Sequence, residues 1–180
     1  MRAEGMKRVL VVVDYQNDFV DGSLGFAGAV AIEDAIVQKI QAYQTAQDTV
    51  VFTFDTHDEY YLTTQEGSRL PVEHCVRESD GWKLYGKVAS YLNEGTPCFI
   101  KGTFGSEKLA CYLAQQQFDS VELVGLVSNI CVLANAVLAK TALPEAEIVV
   151  DAACTASADA NLHEKALDVM EGLQITILNR

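Results

Sequence analysis

Short apolar runs without polar–apolar alternation recur along this chain, separated by segments of helical periodicity. No other feature limits the fold as strongly. The runs are Lys7 to Val13, Thr49 to Phe54, Pro97 to Ile100, Val121 to Leu126, Glu147 to Val150 and Gln174 to Leu178. A strand covered by helices on both faces buries both sets of side chains and reads as a run; a strand with one wet face alternates. Between the runs, Val30 to Gln47 places Ile32, Ile36, Ile40 and Tyr43 on one helical face. Further helices are expected over Trp82 to Leu92, Ser106 to Gln117, Ile130 to Lys140 and Leu162 to Glu171. Ser106 suits an N-cap, with Leu109, Tyr112 and Leu113 facing inward, and Gly172 suits the left-handed residue after a helix. Such alternation predicts parallel strands joined by right-handed crossovers. The expected fold class is α/β: a single-domain, Rossmann-like open sheet of about six parallel strands with helices on both faces, over residues 1–180.

Bulk properties narrow the function. A chain of 180 residues with 49% hydrophobic content has enough apolar mass for one substantial core. The net charge of −12 argues against nucleic acid and anionic membranes as partners. Five cysteines at irregular spacing, without a Cys-x-x-Cys, do not make an extracellular disulfide framework. No apolar run is long enough to span a bilayer, and Val9 to Val13 is too short for a signal-peptide core before Asp14 ends it. A cytoplasmic location is expected, with Met1 to Gly5 an unstructured lead-in and Met6 an alternative start.

Three of the strands lead to reactive groups: Asp14 after the first, Lys101 after the third and Cys131 after the fourth. A doubly wound sheet gathers the carboxyl ends of its central strands at one crevice, where ligands bind. An acid, a base and a thiol gathered there form a nucleophilic set. A cysteine just past a strand and near a helix N-terminus is also favoured as a thiolate. Each residue has a plainer reading alone: Cys131 as a packing residue, Asp14 as a turn cap, Lys101 as a surface lysine. The coincidence of three strand ends outweighs those readings.

The long irregular stretch from Thr56 to Gly81 lies beside a second cluster. Asp55 and His57 are two apart, so in extended chain they point to one side, and His74 follows later. A carboxylate with imidazoles suits zinc, iron or manganese. Glu66 is a further oxygen donor by type, and the alternative is that both histidines hydrogen-bond loop backbone. Cys75, adjacent to His74, is expected to point away. His163 reads as structural. Gly22, Gly25 and Gly28 form no dinucleotide fingerprint, and Lys101-Gly102-Thr103 is not a phosphate loop.

With these residues assembled, the chain resembles the isochorismatase-like cysteine hydrolases and, among them, the nicotinamidase/pyrazinamidase branch. The motifs are Asp14-Tyr15-Gln16-Asn17-Asp18-Phe19, Asp55-Thr56-His57, Leu70-Pro71-Val72-Glu73-His74-Cys75, Lys101-Gly102 and Gly125-Leu126-Val127-Ser128-Asn129-Ile130-Cys131-Val132. Their order and spacing, over nearly the whole chain, carry the resemblance. It implies the isochorismatase-like hydrolase fold and a catalytic triad of Asp14, Lys101 and Cys131. It implies one divalent metal, zinc with iron or manganese as alternatives, on Asp55, His57 and His74, with Glu66 the candidate fourth ligand. It also implies a cis peptide at Leu126–Val127 and an oxyanion hole from the N–H groups of Val127 and Cys131. Phe19 and Phe104 are implied for the substrate pocket. The implied reaction is hydrolysis of nicotinamide to nicotinic acid and ammonia through a thioester, in a homo-oligomer. The alternatives are another amide or carbamoyl hydrolase of this fold, or a noncatalytic binding protein on it. Isochorismate ether hydrolysis is set aside, because members with that activity lack the cysteine. Ser128-Asn129-Ile130 departs from the commoner Thr-Asp-Tyr or Thr-Asp-His. Glu78-Ser79 stands near the family's Gly-Thr, and Lys101 to Ser106 is compact. These differences bear on the substrate more than on the reaction.

Overall fold

The computed structural model describes residues 5–180. The expected lead-in over residues 1–5 falls largely on residues 1–4, outside those described. Six strands form one parallel sheet in the order β3-β2-β1-β4-β5-β6. They are β1 (Arg8–Val13), β2 (Thr49–Asp55), β3 (Cys98–Lys101), β4 (Ser120–Leu126), β5 (Glu147–Ala156) and β6 (Thr176–Leu178). The main helices are α3 (Glu33–Thr45), α5 (Glu107–Gln116), α6 (Leu133–Ala142) and α7 (Ala160–Gly172); α1 (Asn17–Val20), α2 (Ala27–Ala31) and α4 (Gln65–Arg69) are short.

Strand β1 shows why a strand reads as a run. Val9 to Val13 have no solvent exposure. Val9, Val11 and Val13 enter a core with Leu109, Leu113, Val132, Ala136 and Leu167 of α5, α6, α7 and the turn before α6. Leu10 and Val12 enter the opposite core with Ile36, Ile40 and Tyr43 of α3. Each such side chain contributes about 1.5–3 kcal/mol on burial. The α3 face also buries Glu122 and Asp151, whose charges are met by Lys39 Nζ at 2.7 Å from each.

Several expected boundaries are corrected. The helix expected over Val30 to Gln47 is broken at Ile32 between α2 and α3, with Ile36, Ile40 and Tyr43 buried as expected and Ile32 only half-buried. Trp82 to Leu92 contains a 3₁₀ segment, Gly86–Tyr91, in place of an α-helix. Val88 is the one buried residue of that segment, and Tyr91 packs partly buried on the same core. Ser106 caps α5 as expected, its hydroxyl accepting from Leu109 N–H at 3.1 Å. Gly172 is the last residue of α7, and the left-handed residue beyond it is Gln174 (φ 63°). Strand β5 runs six residues past its expected end, because its register against β4 shifts between Leu123 and Gly125.

The topology reverses between β1 and β4, which puts the crevice of a doubly wound sheet at their carboxyl ends. Gly125 lets those ends come together. It pairs with Val13, has φ +106°, and a Cβ there would lie 2.1 Å from the Val13 carbonyl oxygen. Only glycine fits. Asp14 follows β1 directly, and Cys131 lies five residues beyond the end of β4. Asp55 and Lys101 are register partners at the ends of β2 and β3.

Candidate active site and metal cluster

Asp14 sits in the left-handed region (φ 45°) immediately after β1, fully buried. That conformation turns its carboxylate back onto the sheet edge. Its N–H donates to the Thr53 carbonyl at 3.3 Å, and the Thr53 hydroxyl donates to Asp14 Oδ1 at 2.6 Å. Lys101 Nζ lies 2.6 Å from Asp14 Oδ2, 3.3 Å from Asp55 Oδ1 and 3.6 Å from Cys131 Sγ, and donates to the Thr103 carbonyl at 3.0 Å. The sheet edge thus brings together the three strand-end residues that the sequence singles out.

Cys131 lies in a single π-turn, Ser128–Val132, that continues into α6. The Leu126–Val127 peptide before it is cis, at the position the resemblance implies. Ile130 and Val132 N–H groups both donate to the Val127 carbonyl, at 3.1 and 3.2 Å. Asn135, one turn on, donates to the Cys131 carbonyl at 2.8 Å and accepts from Ser106 N–H at 3.0 Å. This side chain locks the cysteine turn to the segment after Lys101.

The electrostatics oppose the pull of the helix start toward a thiolate. Burial pushes the Cys131 thiol well above its ordinary range; the Asp14 charge and the thiol's hydrogen bond to Asp14 act in the same direction, and Lys101 opposes them. Burial also raises Asp14 above the ordinary carboxylate range, against the pull of Lys101. A thiol and a carboxylate that are both pushed above their ordinary ranges are disposed to exchange a proton. Lys101 is held charged: burial opposes the charge, but Asp14, Cys131 and Asp55 outweigh it and raise the ammonium above its usual range.

The second cluster adjoins the first through Asp55. Its Oδ2 lies 3.1 Å from His57 Nε2 and 3.4 Å from His74 Nε2, while its Oδ1 faces Lys101. The ligand atoms of Asp55, His57 and His74 all lie within 4.8 Å of one another. A local bridge aligns the histidines: His57 N–H donates to the Cys75 carbonyl at 3.0 Å, and Arg77 N–H donates to the His57 carbonyl at 2.9 Å. Cys75 is turned aside as expected, left-handed (φ 47°), with its N–H on Asp18 Oδ2 at 2.8 Å. Glu66 Oε1 stands further off, 3.7 and 3.9 Å from His57 and His74 Nε2.

The donor set fits a divalent metal. His74 Nδ1 donates to the Val72 carbonyl at 2.8 Å, which leaves Nε2 of the neutral ring a lone pair aimed at a carboxylate oxygen. Two acceptors so placed need a cation or a proton between them. The proton's share of that need is visible: burial disfavours charge on His74, yet Asp55 and Val72 raise its pKa above the ordinary value. For Asp55, burial works upward, but His57, His74 and Lys101 pull it well below the carboxylate range. Carboxylate and two imidazoles are borderline-hard donors of the kind zinc, iron and manganese accept.

Cys131 of the first cluster and Asp55 and His74 of the second line one cavity of about 280 Å³, with Phe19, Phe26, Phe104 and Val127 among its other walls. The Phe19 ring lies 5.4 Å from the His74 ring, and Phe104 stands at the rim, 45% exposed. Three residues that the sequence reading passed over hold the site together. Gln16 accepts from Asp55 N–H at 2.8 Å and donates to the Asp55 and Trp82 carbonyls at 2.9 and 2.8 Å. Tyr61 packs 4.5 and 4.9 Å from the rings of His57 and His74. Asn135 ties down the cysteine turn, as described above. Gln16 lies inside the Asp14–Phe19 motif, so it was the one within reach of sequence reasoning. No helix among the described residues is long and apolar enough to cross a membrane.

The fold and this edge define an open-sheet α/β protein with a cysteine, a lysine and a carboxylate at its topological switch point and a metal-type donor cluster beside them. The isochorismatase domain model matches residues 8–179, and the chain belongs to the isochorismatase family. An isochorismatase family protein of Bacillus subtilis, PncA, is 35% identical over 147 residues, covering 73% of this chain and 78% of that one. The nicotinamidase/pyrazinamidase of Mycobacterium tuberculosis is 27% identical over 95% of this chain and 98% of its own. The crystal structure of nicotinamidase PncA from Bacillus subtilis superposes with a TM-score of 0.85 at 29% identity, covering 97% of this chain and all of that one.

Proposed function

We propose that this protein is a cysteine-dependent amide hydrolase whose substrate is nicotinamide, released as nicotinic acid and ammonia. The observation that carries the reading is the triangle of Asp14, Lys101 and Cys131, whose Cys131 lines the same cavity as Asp55 and His74 of the neighbouring cluster. The family and the nicotinamidase relatives support amide hydrolysis as the reaction class.

Asp14 accepts the thiol proton, and the sulfur attacks the amide carbonyl carbon. The carbonyl π pair moves to oxygen, where the N–H groups of Val127 and Cys131 stabilise it. Collapse breaks the C–N bond, and Asp14 returns its proton to the departing ammonia. A thioester on Cys131 remains. Asp14, again ionised, takes a proton from water as that water attacks the thioester, and the acid leaves with the thiol restored. Lys101 stays charged throughout and compensates the anion that alternates between Asp14 and the sulfur. Asp55, His57 and His74, with Glu66 the nearest further oxygen, would hold a divalent ion, zinc by preference; such an ion supplies a Lewis-acid anchor for a pyridine nitrogen. Phe19 and Phe104 bracket the ring.

A second reading, another small amide or a carbamoyl compound, is favoured by the apolar outer wall of Leu70, Ile130 and Leu162, which a bare pyridine ring does not require. Ammonia release from nicotinamide and from a panel of small amides, with and without chelator, decides between them. Turnover of nicotinamide that survives in Cys131→Ala overturns both.

A further inference from the structure

His163 has no role in the steps above. Its ring nevertheless meets the cysteine turn. His163 Nδ1 and Ser128 Oγ are joined by a hydrogen bond of 2.8 Å, and Ser128 is completely buried. Ser128 follows Val127 directly and precedes Cys131 by three residues. His163 stands in the first turn of α7, whose N-cap Asp159 accepts from Asn161 and Leu162 N–H at 2.9 and 3.1 Å. The ring is therefore carried on a fixed frame. That same helix start contributes Asp159 and Leu162 to the cavity wall.

We propose that His163 is a positioning residue for the turn that carries Cys131, and that the inference rests on the amide-hydrolase reading above. Among the described residues, two side chains tether the turn. Asn135 holds its far end through the Cys131 carbonyl. His163 holds its near end through Ser128. Between them, the Val127 carbonyl gathers the N–H groups of Ile130 and Val132. If the near tether is lost, the Val127 and Cys131 N–H groups drift from the place where charge develops on the substrate oxygen. That displacement weakens transition-state stabilisation more than ground-state binding. The loss falls on kcat and spares KM.

The test uses His163→Ala, His163→Asn, His163→Gln and Ser128→Ala in the full chain. An asparagine amide reaches the position of Nδ1; a glutamine amide reaches that of Nε2. His163→Ala is expected to lower kcat by roughly 10- to 100-fold, with KM within about twofold of the parent. His163→Asn restores most of the rate, His163→Gln does not, and Ser128→Ala matches His163→Ala. The double alanine variant is no slower than either single one. A kcat within twofold of the parent in His163→Ala, or equal rescue by Asn and Gln, overturns the proposal. Hydrogen exchange gives a readout that needs no substrate. In both alanine variants, the Ile130 and Val132 amides exchange at least tenfold faster, and His163→Asn restores them. Unchanged exchange there refutes the proposal even if the parent turns over no amide, whereas that inactivity refutes the functional reading alone.

Discussion

Asp14, Lys101 and Cys131 stand on or just after strand ends, whereas the Asp55–His57–His74 cluster takes one residue from a strand and two from the irregular stretch that follows it. The first group is placed by the sheet. Its geometry follows from parallel register, the reversal of strand order at β1 and β4, and a glycine that allows the two strand ends to approach. The second is placed by local devices: a two-residue bridge, a left-handed Cys75, and a buried Tyr61 against both imidazoles. The two carboxylates diverge accordingly. Burial drives Asp14 up, while imidazoles and an ammonium drive Asp55 down. One is shifted toward holding a proton and the other away from it. On the proposed function, the sheet supplies the chemistry and the loop what orients a substrate.

That division can be broken, and the sharpest cut is Cys131→Ala. Turnover is expected to fall by about 10⁴-fold or more, with the melting temperature and metal content of the parent. Loss of metal in this variant would join the two halves more tightly than their geometry does. Next is His57→Ala, expected to lower metal affinity by roughly 100-fold or more while Cys131 alkylation by iodoacetamide stays within about threefold. Metal content by elemental analysis and the alkylation rate are the two measurements, and a collapse of both counts against separate halves. Asp55→Ala, by contrast, should disturb both, because its carboxylate touches both.

A smaller effect separates the carboxylates by pH. Asp14 must be ionised to act as base, and its pKa lies above the ordinary value, so kcat/KM falls with acid through a midpoint above the usual carboxylate range of about 3.9. An acid limb at or below that range would take the base role from Asp14. The least effect is at the rim: Phe104→Ala is expected to raise KM by about three- to tenfold with kcat nearly unchanged, since a half-exposed ring contributes on the order of 1 kcal/mol. Steady-state kinetics on the best amide checks it.

The same division explains what could be read from the sequence. The strands were visible because β1, β2 and β4 bury both faces and so appear as runs. Their last residues identified Asp14, Asp55, Lys101 and the approach to Cys131. The extension of β5 was not visible: Asp151-Ala152-Ala153-Cys154-Thr155 carries no apolar run, and its pairing depends on the register shift opposite Leu123 and Gly125. Gln16 and Asn135 were passed over because, apart from the Asn135 bond to the Cys131 carbonyl, the partners that define their roles lie 29 to 66 residues away, and no local pattern marks a side chain that bonds distant backbone. A helix start argues for a thiolate, but burial and a neighbouring anion, both tertiary effects, push the pKa of the Cys131 thiol up.

Asp55 offers one oxygen to Lys101 and the other to two histidines. For protein engineering, this makes the site less modular than its two halves suggest. On the proposed function, the histidines and the rim can be exchanged to recognise a different acyl group, but position 55 must keep a carboxylate or Lys101 loses a counter-charge next to Cys131. The freedom to change substrates is therefore concentrated at the rim, in Phe104, Ile130 and Leu162. The carboxylate at the end of β2 is the junction that any redesigned pocket must keep.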